Sequence, residues 1–215
     1  PCSTGSRSTG TSRSLTAGPR RACSSARPVT LAFSETRQAL ASGVVDLLPD
    51  IPGLTERWGS RVFHCPYCHG YELQQGRIGV IATGPVSLHQ AQLLTEWGSV
   101  TFFLNGALTL GQDEEGMLAS RGVKVDTTPI SAIVDQASVM LADGRGESFS
   151  GLFVASRTAP TSPLAAQLGC AYEEGWLGPF VRTDPMRATS VPGVFACGDL
   201  ARAAGNVAMA VGDGA

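Results

Sequence analysis

The sequence has few charged residues and no long apolar run. Only 16% of its 215 residues are charged, and the formal net charge is -2. This near balance gives no electrostatic reason to expect nucleic acid or an anionic membrane surface as a partner. No stretch approaches the roughly 20 apolar residues of a membrane-spanning helix. Because the hydrophobic share of 43% is sufficient for a packed core, we expect a globular protein without nucleic-acid or membrane partners.

Cysteine is too sparse for a disulfide framework. Six cysteines are spread over a chain whose length requires no covalent cross-links. Only Cys65 and Cys68 are close in sequence; the others are Cys2, Cys23, Cys170 and Cys197. Residues 1–28 are rich in Arg and Ser, which also fits an organellar transit peptide, but they lack the apolar segment of an export signal. We therefore expect an irregular segment at 1–28 and a reducing, cytoplasmic location.

The most regular part of the sequence is 76–106. Its pattern predicts a buried strand at 78–81, a tight turn, a helix at 86–96 and a second strand at 100–104. Such a βαβ unit is typical of a parallel sheet, so we predict an α/β fold with a Rossmann-like three-layer domain that binds a nucleotide. Further along, 130–149 predicts a hairpin of two strands around the Asp143-Gly144 turn.

The motif Phe-His-Cys-Pro-Tyr-Cys-His-Gly-Tyr-Glu-Leu at 63–73 contains Cys-x-x-Cys-His and is compatible with four chemistries. The local pattern matches a site of c-type haem attachment. This attachment requires export, for which the sequence has no signal. Zinc needs four ligands, usually in two separated pairs. Cys65 and Cys68 would be one pair, and His64 and His69 are too close to them to be the second without strain. We therefore predict no metal site.

A glutaredoxin-like thiol is the third alternative. Cys-Pro-Tyr-Cys is the motif of that family, and Val191-Pro192 resembles its downstream Val-Pro signature. That fold, however, places its cysteines directly after a first strand and at the start of a helix. Here Gly70 follows almost at once, and a βαβ unit begins at Gly76. The motifs match this alternative, but their context does not.

The fourth alternative is electron exchange with a flavin, and two further motifs favour it. Gly-Val-Phe-Ala-Cys-Gly-Asp at 193–199 resembles the strand and Gly-Asp pair that end the FAD-binding half of flavoprotein reductases with two dinucleotide domains. The segment at 39–53 resembles the strand end and proline-rich crossover of the same superfamily. With Cys-x-x-Cys-His-Gly-Tyr-Glu between them, these motifs are similar in order to the low-molecular-weight thioredoxin reductase family over 29–215.

The resemblance implies a nucleotide-binding domain that is inserted in a partial FAD-binding domain. Its segments would be an irregular N-terminus (1–28), a partial FAD-binding segment (29–55), an NAD(P)-type domain with the cysteines (56–178) and a C-terminal FAD-binding segment (179–215). The Gly-x-Gly-x-x-Gly loop that holds the FAD pyrophosphate in this family does not occur in residues 1–40. We therefore expect a truncated FAD domain, and a non-catalytic relative without stable FAD binding is an alternative to an enzyme.

The resemblance also implies roles for individual residues. Cys68 would face the flavin, Cys65 would exchange with the substrate, and His69 would replace an acidic proton donor. His64 is expected to be structural. The residues implied to bind FAD are Ala41, Ser42, Gly43, Gly198, Asp199, Asn206 and Val207. The implied partner is a thioredoxin-like protein or a small-molecule disulfide or dithiol, and the family leads us to expect a homodimer.

A nicotinamide nucleotide would bind at the turn of the βαβ unit, where Gly84 and Ser87 are the implied contacts. Of the Gly-x-Gly-x-x-Gly fingerprint, only the central Gly84 is kept. After the second strand, the sequence has neither the acidic residue expected for NAD nor the arginines expected for NADP. The choice between NADPH and NADH is therefore open, and a dithiol oxidase that uses oxygen would not need this site.

Overall fold

The structure, a computed structural model, describes residues 37–215. The predicted irregular segment at 1–28 and the beginning of the predicted segment 29–55 lie outside the described residues. The strands are β1 (Gln38–Leu40), β2 (Val44–Leu47), β3 (Val62–Phe63), β4 (Arg77–Ile81), β5 (Ser99–Phe103), β6 (Lys124–Asp126), β7 (Ile130–Val134), β8 (Ser138–Leu141), β9 (Gly146–Ser148), β10 (Gly151–Val154), β11 (Arg157–Pro160), β12 (Tyr172–Glu174), β13 (Pro179–Val181) and β14 (Val194–Ala196). The helices are α1 (Pro66–His69), α2 (Val86–Leu94), α3 (Gln112–Ser120), α4 (Leu164–Gln167) and α5 (Val207–Gly214). None of these helices combines the length and apolar character that crossing a membrane requires.

A five-stranded parallel sheet has the strand order β3-β10-β4-β5-β6. β4 and β5 pair along their whole length, and α2 connects them, so the predicted βαβ unit and the predicted α/β fold are confirmed. The strand ends agree with the prediction to within one residue, whereas α2 ends at Leu94 and not at residue 96. The chain turns back toward the sheet there, and a Cβ atom at Gly98 would lie 2.2 Å from the carbonyl oxygen of Gly76.

Both faces of this sheet are covered, which explains why its inner strands are almost continuously apolar. One cluster joins the sheet to α2 and α3, and its fully buried members include Ile78, Val80, Ala91, Leu94 and Leu118. Another cluster joins the opposite face to β7 and β8, and its members include Ile81, Phe103, Leu152, Ile133 and Val139. The sheet is therefore a rigid support for the segments at its edges.

The predicted hairpin around the Asp143-Gly144 turn is present as β8 and β9, but residues 130–148 form a three-stranded antiparallel meander, so the prediction missed one strand and one turn. β7, β8 and β9 pair in this order, and the Asp143-Gly144 turn lies between the second and third strands. The turn that the prediction missed contains Asp135, whose φ of 50° is left-handed. Asp adopts this conformation more readily than most residues. Arg57 Nε donates to the Asp135 carbonyl oxygen over 2.8 Å and so ties this turn to the segment before β3.

Two further strand pairs join the beginning of the described chain to its end. β1 pairs in parallel with β14, and β2 pairs antiparallel with β11. A third core cluster contains Leu40, Val181, Val194, Ala196 and Leu200. The segments before and after the central sheet thus pack with each other, as an inserted domain requires. The predicted domain boundaries stay a prediction.

Asp126 anchors the meander to the end of β6. Its carboxylate accepts hydrogen bonds from Arg145 Nη1 and from the Thr128 amide, each over 2.9 Å. Burial alone would raise the pKa of Asp126, but these hydrogen bonds outweigh burial and lower the pKa to about 2. A carboxyl group with a depressed pKa stabilises the fold above its ordinary pKa of 3.8, and this contribution is lost as the pH falls toward 2.

We predict that Asp126→Asn lowers the free energy of unfolding at pH 7 by about 2 kcal/mol. The variant and the wild type should converge as the pH falls from about 5 toward 2, because protonation removes the same interactions. Urea denaturation followed by circular dichroism measures both effects. Asp143→Asn is the matched control, since Asp143 also binds Arg145 but is 42% exposed, and it should have a smaller effect. An Asp126→Asn variant as stable as the wild type at pH 7 would contradict this assignment.

Candidate active site

The cysteine pair lies where a strand meets a short helix. β3 ends at Phe63, Cys65 is the residue before α1, and Pro66 occupies the first helical position, where a missing N–H has no cost. Both cysteines are free thiols, and their Sγ atoms are 2.7 Å apart. Cys65 is half-buried and Cys68 is exposed. The two sulfurs are therefore placed to form a disulfide without a large backbone movement.

Trp97 supports the helix that carries Cys68. The rings of Tyr67 and Trp97 meet edge to face, with centroids 5.5 Å apart. A Cβ atom at Gly70 would lie 2.7 Å from Trp97 Cδ2, so only glycine allows this approach. The short helix is thus packed against the segment that follows α2, and its position does not depend on its own weak helical hydrogen bonding.

The hydrogen bond between the two thiols affects the pKa of Cys68. The Cys68 thiol donates to Cys65 Sγ, and this bond, together with burial and negative charge on Cys65, raises the pKa of Cys68. Cys68 therefore tends to keep its proton while it is paired with Cys65. Because the thiolate is the nucleophile in disulfide exchange, this arrangement favours Cys65 as the attacking sulfur. That is the role predicted for Cys65, which stays a prediction.

His69, the predicted proton donor, is the last residue of α1. Its ring stacks on Phe63 with centroids 4.2 Å apart, and its Nδ1 lies 3.5 Å from Glu72 Oε2. The side chain is 38% exposed. Phe63 and Glu72 orient the imidazole; its role in proton transfer stays a prediction.

His64, which was predicted to be structural, is bound from three elements. Its Nδ1 lies 3.0 Å from Ser156 Oγ, and Ser156 Oγ donates to Asp46 Oδ1 over 2.6 Å. Gln90 Nε2 donates to the His64 carbonyl oxygen over 2.6 Å. Sequence reasoning did not identify Asp46, Ser156 or Gln90. Asp46 and Ser156 are 110 residues apart, and no local spacing indicates that they meet.

A cavity of about 310 Å³ is lined in part by residues of the cysteine motif. Its wall is mainly apolar and includes His64, Pro66, Tyr67, His89, Leu93 and Trp176. Two of these residues, His64 and Pro66, flank Cys65 in the sequence. Its volume is at the lower end of the roughly 300–1,000 Å³ of small-molecule sites in proteins.

The structure brings together two of the segments that were predicted to bind FAD. Ala41, Ser42 and Gly43 follow β1, and Gly198 and Asp199 follow β14 shortly after its end. Since β1 and β14 are parallel neighbours, both segments lie at the same edge, where open α/β sheets bind ligands. The Cys197 amide donates to the Leu40 carbonyl oxygen over 3.0 Å and holds the edge together. Gly43 and Gly198 have left-handed φ values of 69° and 67°.

The remaining predicted FAD residues lie just beyond this edge. The Asp199 side chain is exposed and reaches over Gly205, where a Cβ atom would be 1.9 Å from Asp199 Oδ1. Asn206 caps α5 because its Oδ1 accepts from the Met209 amide over 2.9 Å. Val207 follows in the first turn of α5 and is 80% exposed. The Asn206 side chain is therefore engaged within the chain, while Asp199 and Val207 are accessible.

At the turn predicted to bind a nicotinamide nucleotide, Gly84 is accessible to a ligand and Ser87 is buried. A Cβ atom at Gly84 would meet nothing within 4 Å, so a ligand can approach the backbone there. Ser87 is fully buried, and its Oγ accepts from the Thr83 amide over 3.0 Å. After β5, Asn105 Oδ1 accepts from the Ile130 amide over 2.8 Å. Ser87 and Asn105 thus hold the local backbone rather than face a ligand.

Local geometry alone would not separate the alternatives for the cysteine motif. Cys65 does follow a strand and does begin a helix, so the sequence argument against a glutaredoxin-like arrangement was wrong on this point. Among residues 37–215, no group of three or more His, Cys, Asp or Glu side chains is close enough to hold a metal ion. What distinguishes the arrangement is the combination of the cysteine pair with two nucleotide-type strand edges.

This combination defines an α/β protein with a fold typical of nucleotide-binding proteins and with a cysteine pair suited to disulfide exchange. The chain belongs to the pyridine nucleotide-disulphide oxidoreductase family, which matches residues 35–214. The predicted resemblance to thioredoxin reductases is confirmed by relatives and solved structures. Members of this family generally use FAD and NAD(P)H.

Three relatives illustrate the similarity. The chain is 34% identical over 194 residues to thioredoxin reductase sirT of Leptosphaeria maculans, which covers 81% of this chain and 58% of that protein. Thioredoxin reductase tcpT of Claviceps purpurea is 34% identical over 190 residues, with the same shares. The crystal structure of an oxidoreductase from Agrobacterium tumefaciens is 55% identical with a TM-score of 0.80, over 83% of this chain and 60% of that chain. The chain thus spans about three fifths of the length of these relatives.

We predict that Cys65→Ala lowers the pKa of Cys68, since it removes both the hydrogen bond and the adjacent negative charge. The rate of Cys68 alkylation by iodoacetamide, followed by peptide mass spectrometry, should then reach its midpoint at a lower pH than in the wild type. Cys170→Ala is the control, because Cys170 is buried in another cluster. An unchanged midpoint in Cys65→Ala would show that Cys65 does not control the proton of Cys68.

Proposed function

We propose that this protein acts as an FAD-dependent dithiol/disulfide oxidoreductase of thioredoxin reductase type. In this proposal, electrons pass between NAD(P)H, the flavin and the Cys65–Cys68 pair. The observation that carries the proposal is the contact of the two Sγ atoms, 2.7 Å apart, in a chain of the pyridine nucleotide-disulphide oxidoreductase family. The support of α1 by Trp97 keeps the pair in place between cycles of oxidation and reduction.

The edge formed by β1 and β14 fits FAD. Two left-handed glycines, Gly43 and Gly198, allow close approach of the backbone, and the exposed Asp199 carboxylate suits the hydroxyl groups of a ribityl chain. We propose that Ala41, Ser42, Gly43, Gly198 and Asp199 hold this part of the cofactor, and that Asn206 and Val207 lie toward its pyrimidine ring. When bound, FAD supplies a two-electron acceptor or donor for the cysteine pair.

The residues of the chain perform the thiol chemistry. Cys65 exchanges with the substrate, because the proton of Cys68 is directed toward Cys65 Sγ. Cys68 is the sulfur that exchanges electrons with the flavin. His69, oriented by Phe63 and Glu72, moves a proton to or from the Cys68 side of the pair.

The cavity lined by His64 and Pro66 favours a small-molecule dithiol or disulfide as substrate. Its apolar wall and its volume of about 310 Å³ suit a compact apolar molecule. A thioredoxin-like protein is the other substrate class that we retain, because several relatives are named thioredoxin reductases. A homodimer, expected from the family, and a cytoplasmic location, expected from the sparse cysteines, stay predictions.

A dithiol oxidase that uses oxygen is the second candidate function. It is favoured by the turn after β4 and by the end of β5, where Ser87 is buried and Asn105 binds the Ile130 amide. Neither side chain is available to recognise a nicotinamide nucleotide. In this version, electrons would pass from a substrate dithiol through the cysteine pair and the flavin to oxygen.

The visible absorbance spectrum of the purified 215-residue protein tests FAD use directly. The protein is mixed with excess FAD, desalted, and then titrated with dithiothreitol without oxygen. We expect a retained flavin band that dithiothreitol bleaches. We predict that Cys68→Ser retains the flavin band, but that dithiothreitol bleaches it only at the background rate. The path from the substrate thiols to the flavin is interrupted in this variant.

Cys170→Ser is the control for the loss of a thiol, since Cys170 lies in a separate core cluster. It should bleach at the wild-type rate. A Cys68→Ser variant with undiminished bleaching would contradict the proposed electron path. A wild-type protein that retains no flavin would favour the alternative of a non-catalytic relative. If neither NADPH nor NADH bleaches the flavin, but oxygen reoxidises the flavin after bleaching, the result would favour the oxidase.

A further inference from the structure

The contacts of His64 determine which of its ring nitrogens carries a proton. Ser156 Oγ has one hydrogen, and its contact of 2.6 Å with Asp46 Oδ1 assigns that hydrogen to the carboxylate. At its contact of 3.0 Å with His64 Nδ1, Ser156 Oγ must then accept. Nδ1 therefore carries a proton, and in the neutral imidazole the lone pair is on Nε2.

The groups that impose this tautomer are held firmly. Ser156 is fully buried, and its amide donates to the Val154 carbonyl oxygen over 3.0 Å. Asp46 belongs to β2 and pairs with Thr158 of β11. On the other side, the amide of Gln90, which is 5% exposed, donates to the His64 carbonyl oxygen. Ring and backbone of His64 are thus fixed by separate elements.

The position of His64 connects this tautomer to the thiol chemistry. His64 is part of the cavity wall, and the next residue in the chain is Cys65. We propose that His64 is a base for substrate thiols in this cavity, and that Ser156 and Asp46 are positioning residues that keep its Nε2 ready to accept a proton. The inference rests on the proposed function and identifies the substrate class as a thiol or dithiol.

The step balances without another reactant. His64 Nε2 takes the proton of a substrate thiol, and the thiolate attacks Cys65 Sγ of the Cys65–Cys68 disulfide. A bond between the substrate sulfur and Cys65 forms, the bond between Cys65 and Cys68 breaks, and Cys68 leaves as a thiolate. A second substrate thiol gives its proton to the Cys68 thiolate and attacks the first substrate sulfur, which expels Cys65 as a thiolate that takes the proton from His64. The substrate has then lost two electrons and two protons, and the cysteine pair has gained two electrons.

His64 and His69 have different surroundings, which separates their roles. The titratable groups near His64 are Asp46 behind Ser156, His89 and Tyr67 in the cavity wall, and the adjacent Cys65. His69 stacks on Phe63, pairs with Glu72 and does not line the cavity. His64 therefore serves the substrate side of the pair.

The first test is the reduction of the oxidised cysteine pair by dithiothreitol, followed by acid quenching, alkylation and mass spectrometry. We predict that His64→Gln lowers the rate at pH 7 by about 100-fold, the lower range for general base catalysis. The difference should shrink as the pH rises above the pKa of the probe thiol, because the thiolate then needs no base. Glu115→Gln is the control, since Glu115 is exposed on α3 and does not line the cavity, and it should react at the wild-type rate.

The second test observes the tautomer itself by NMR of protein that contains 15N-labelled histidine. The protein has three histidines. Wild-type His64 should carry its proton on Nδ1. In Asp46→Ala, the Ser156 hydroxyl no longer has the carboxylate and can donate to Nδ1, so the proton should move to Nε2 and the reduction rate at pH 7 should fall. If the contact were merely structural, Asp46→Ala would not move the proton from Nδ1 to Nε2.

The outcomes separate this inference from the proposed function. A wild-type rate in His64→Gln, a loss that is equal at every pH, or a proton on Nε2 in the wild type would each overturn the inference while the cysteine pair still exchanges. A wild-type protein in which Cys65 and Cys68 form no disulfide, or form one that dithiothreitol does not reduce, would instead overturn the proposed function.

Discussion

The burial of the parallel sheet on both faces is the constraint on which the rest of the structure depends. The 63–73 segment is fixed because it starts on edge strand β3, whose Val62 is fully buried, and because it packs back on the sheet. A Cβ atom at Gly151 of β10 would lie 3.0 Å from the Leu73 side chain, so the segment rests directly on the sheet. Without the two covered faces, neither this contact nor that of Trp97 with α1 would have a rigid support.

The cysteine pair and its neighbouring histidines are positioned by contacts with distant parts of the chain. Trp97 supports α1, Phe63 and Glu72 orient His69, and the chain of Asp46 and Ser156 reaches His64. A Cys-x-x-Cys motif on a mobile loop would have the same thiols but no fixed proton donor or acceptor. The sheet thus holds the thiols and imidazoles of a short motif in fixed positions.

The same sheet edges explain why a family with two nucleotide sites can be identified in this chain. β1 and β14 are more than 150 residues apart and still pair, and they bring Gly43 and Gly198 to one edge. The turn after β4 keeps the open Gly84 but places Ser87 inside. The edge proposed to hold FAD therefore has accessible backbone at two left-handed glycines, whereas Ser87 at the turn proposed for a nicotinamide nucleotide is buried.

Sequence reasoning predicted what depends on local patterns. The βαβ unit followed from apolar periodicity and Gly98, and the family followed from the order of three short motifs. The meander was missed because Asp135 gives no strong turn signal, whereas the Asp143-Gly144 turn does. The contacts of His64 could not be predicted, since Asp46 and Ser156 meet only when β2 pairs with β11. Pairing between strands so distant in sequence leaves no local signal.

The central claim is that Cys65 and Cys68 form a reversible two-electron couple. Equilibration of the protein in a series of glutathione redox buffers, followed by alkylation and peptide mapping, measures this most directly. The account predicts one disulfide, between Cys65 and Cys68, and a transition in which a tenfold change in the ratio of oxidised to reduced protein corresponds to about 30 mV. A pair that stays reduced throughout, or cysteines that form only separate glutathione adducts, would contradict it.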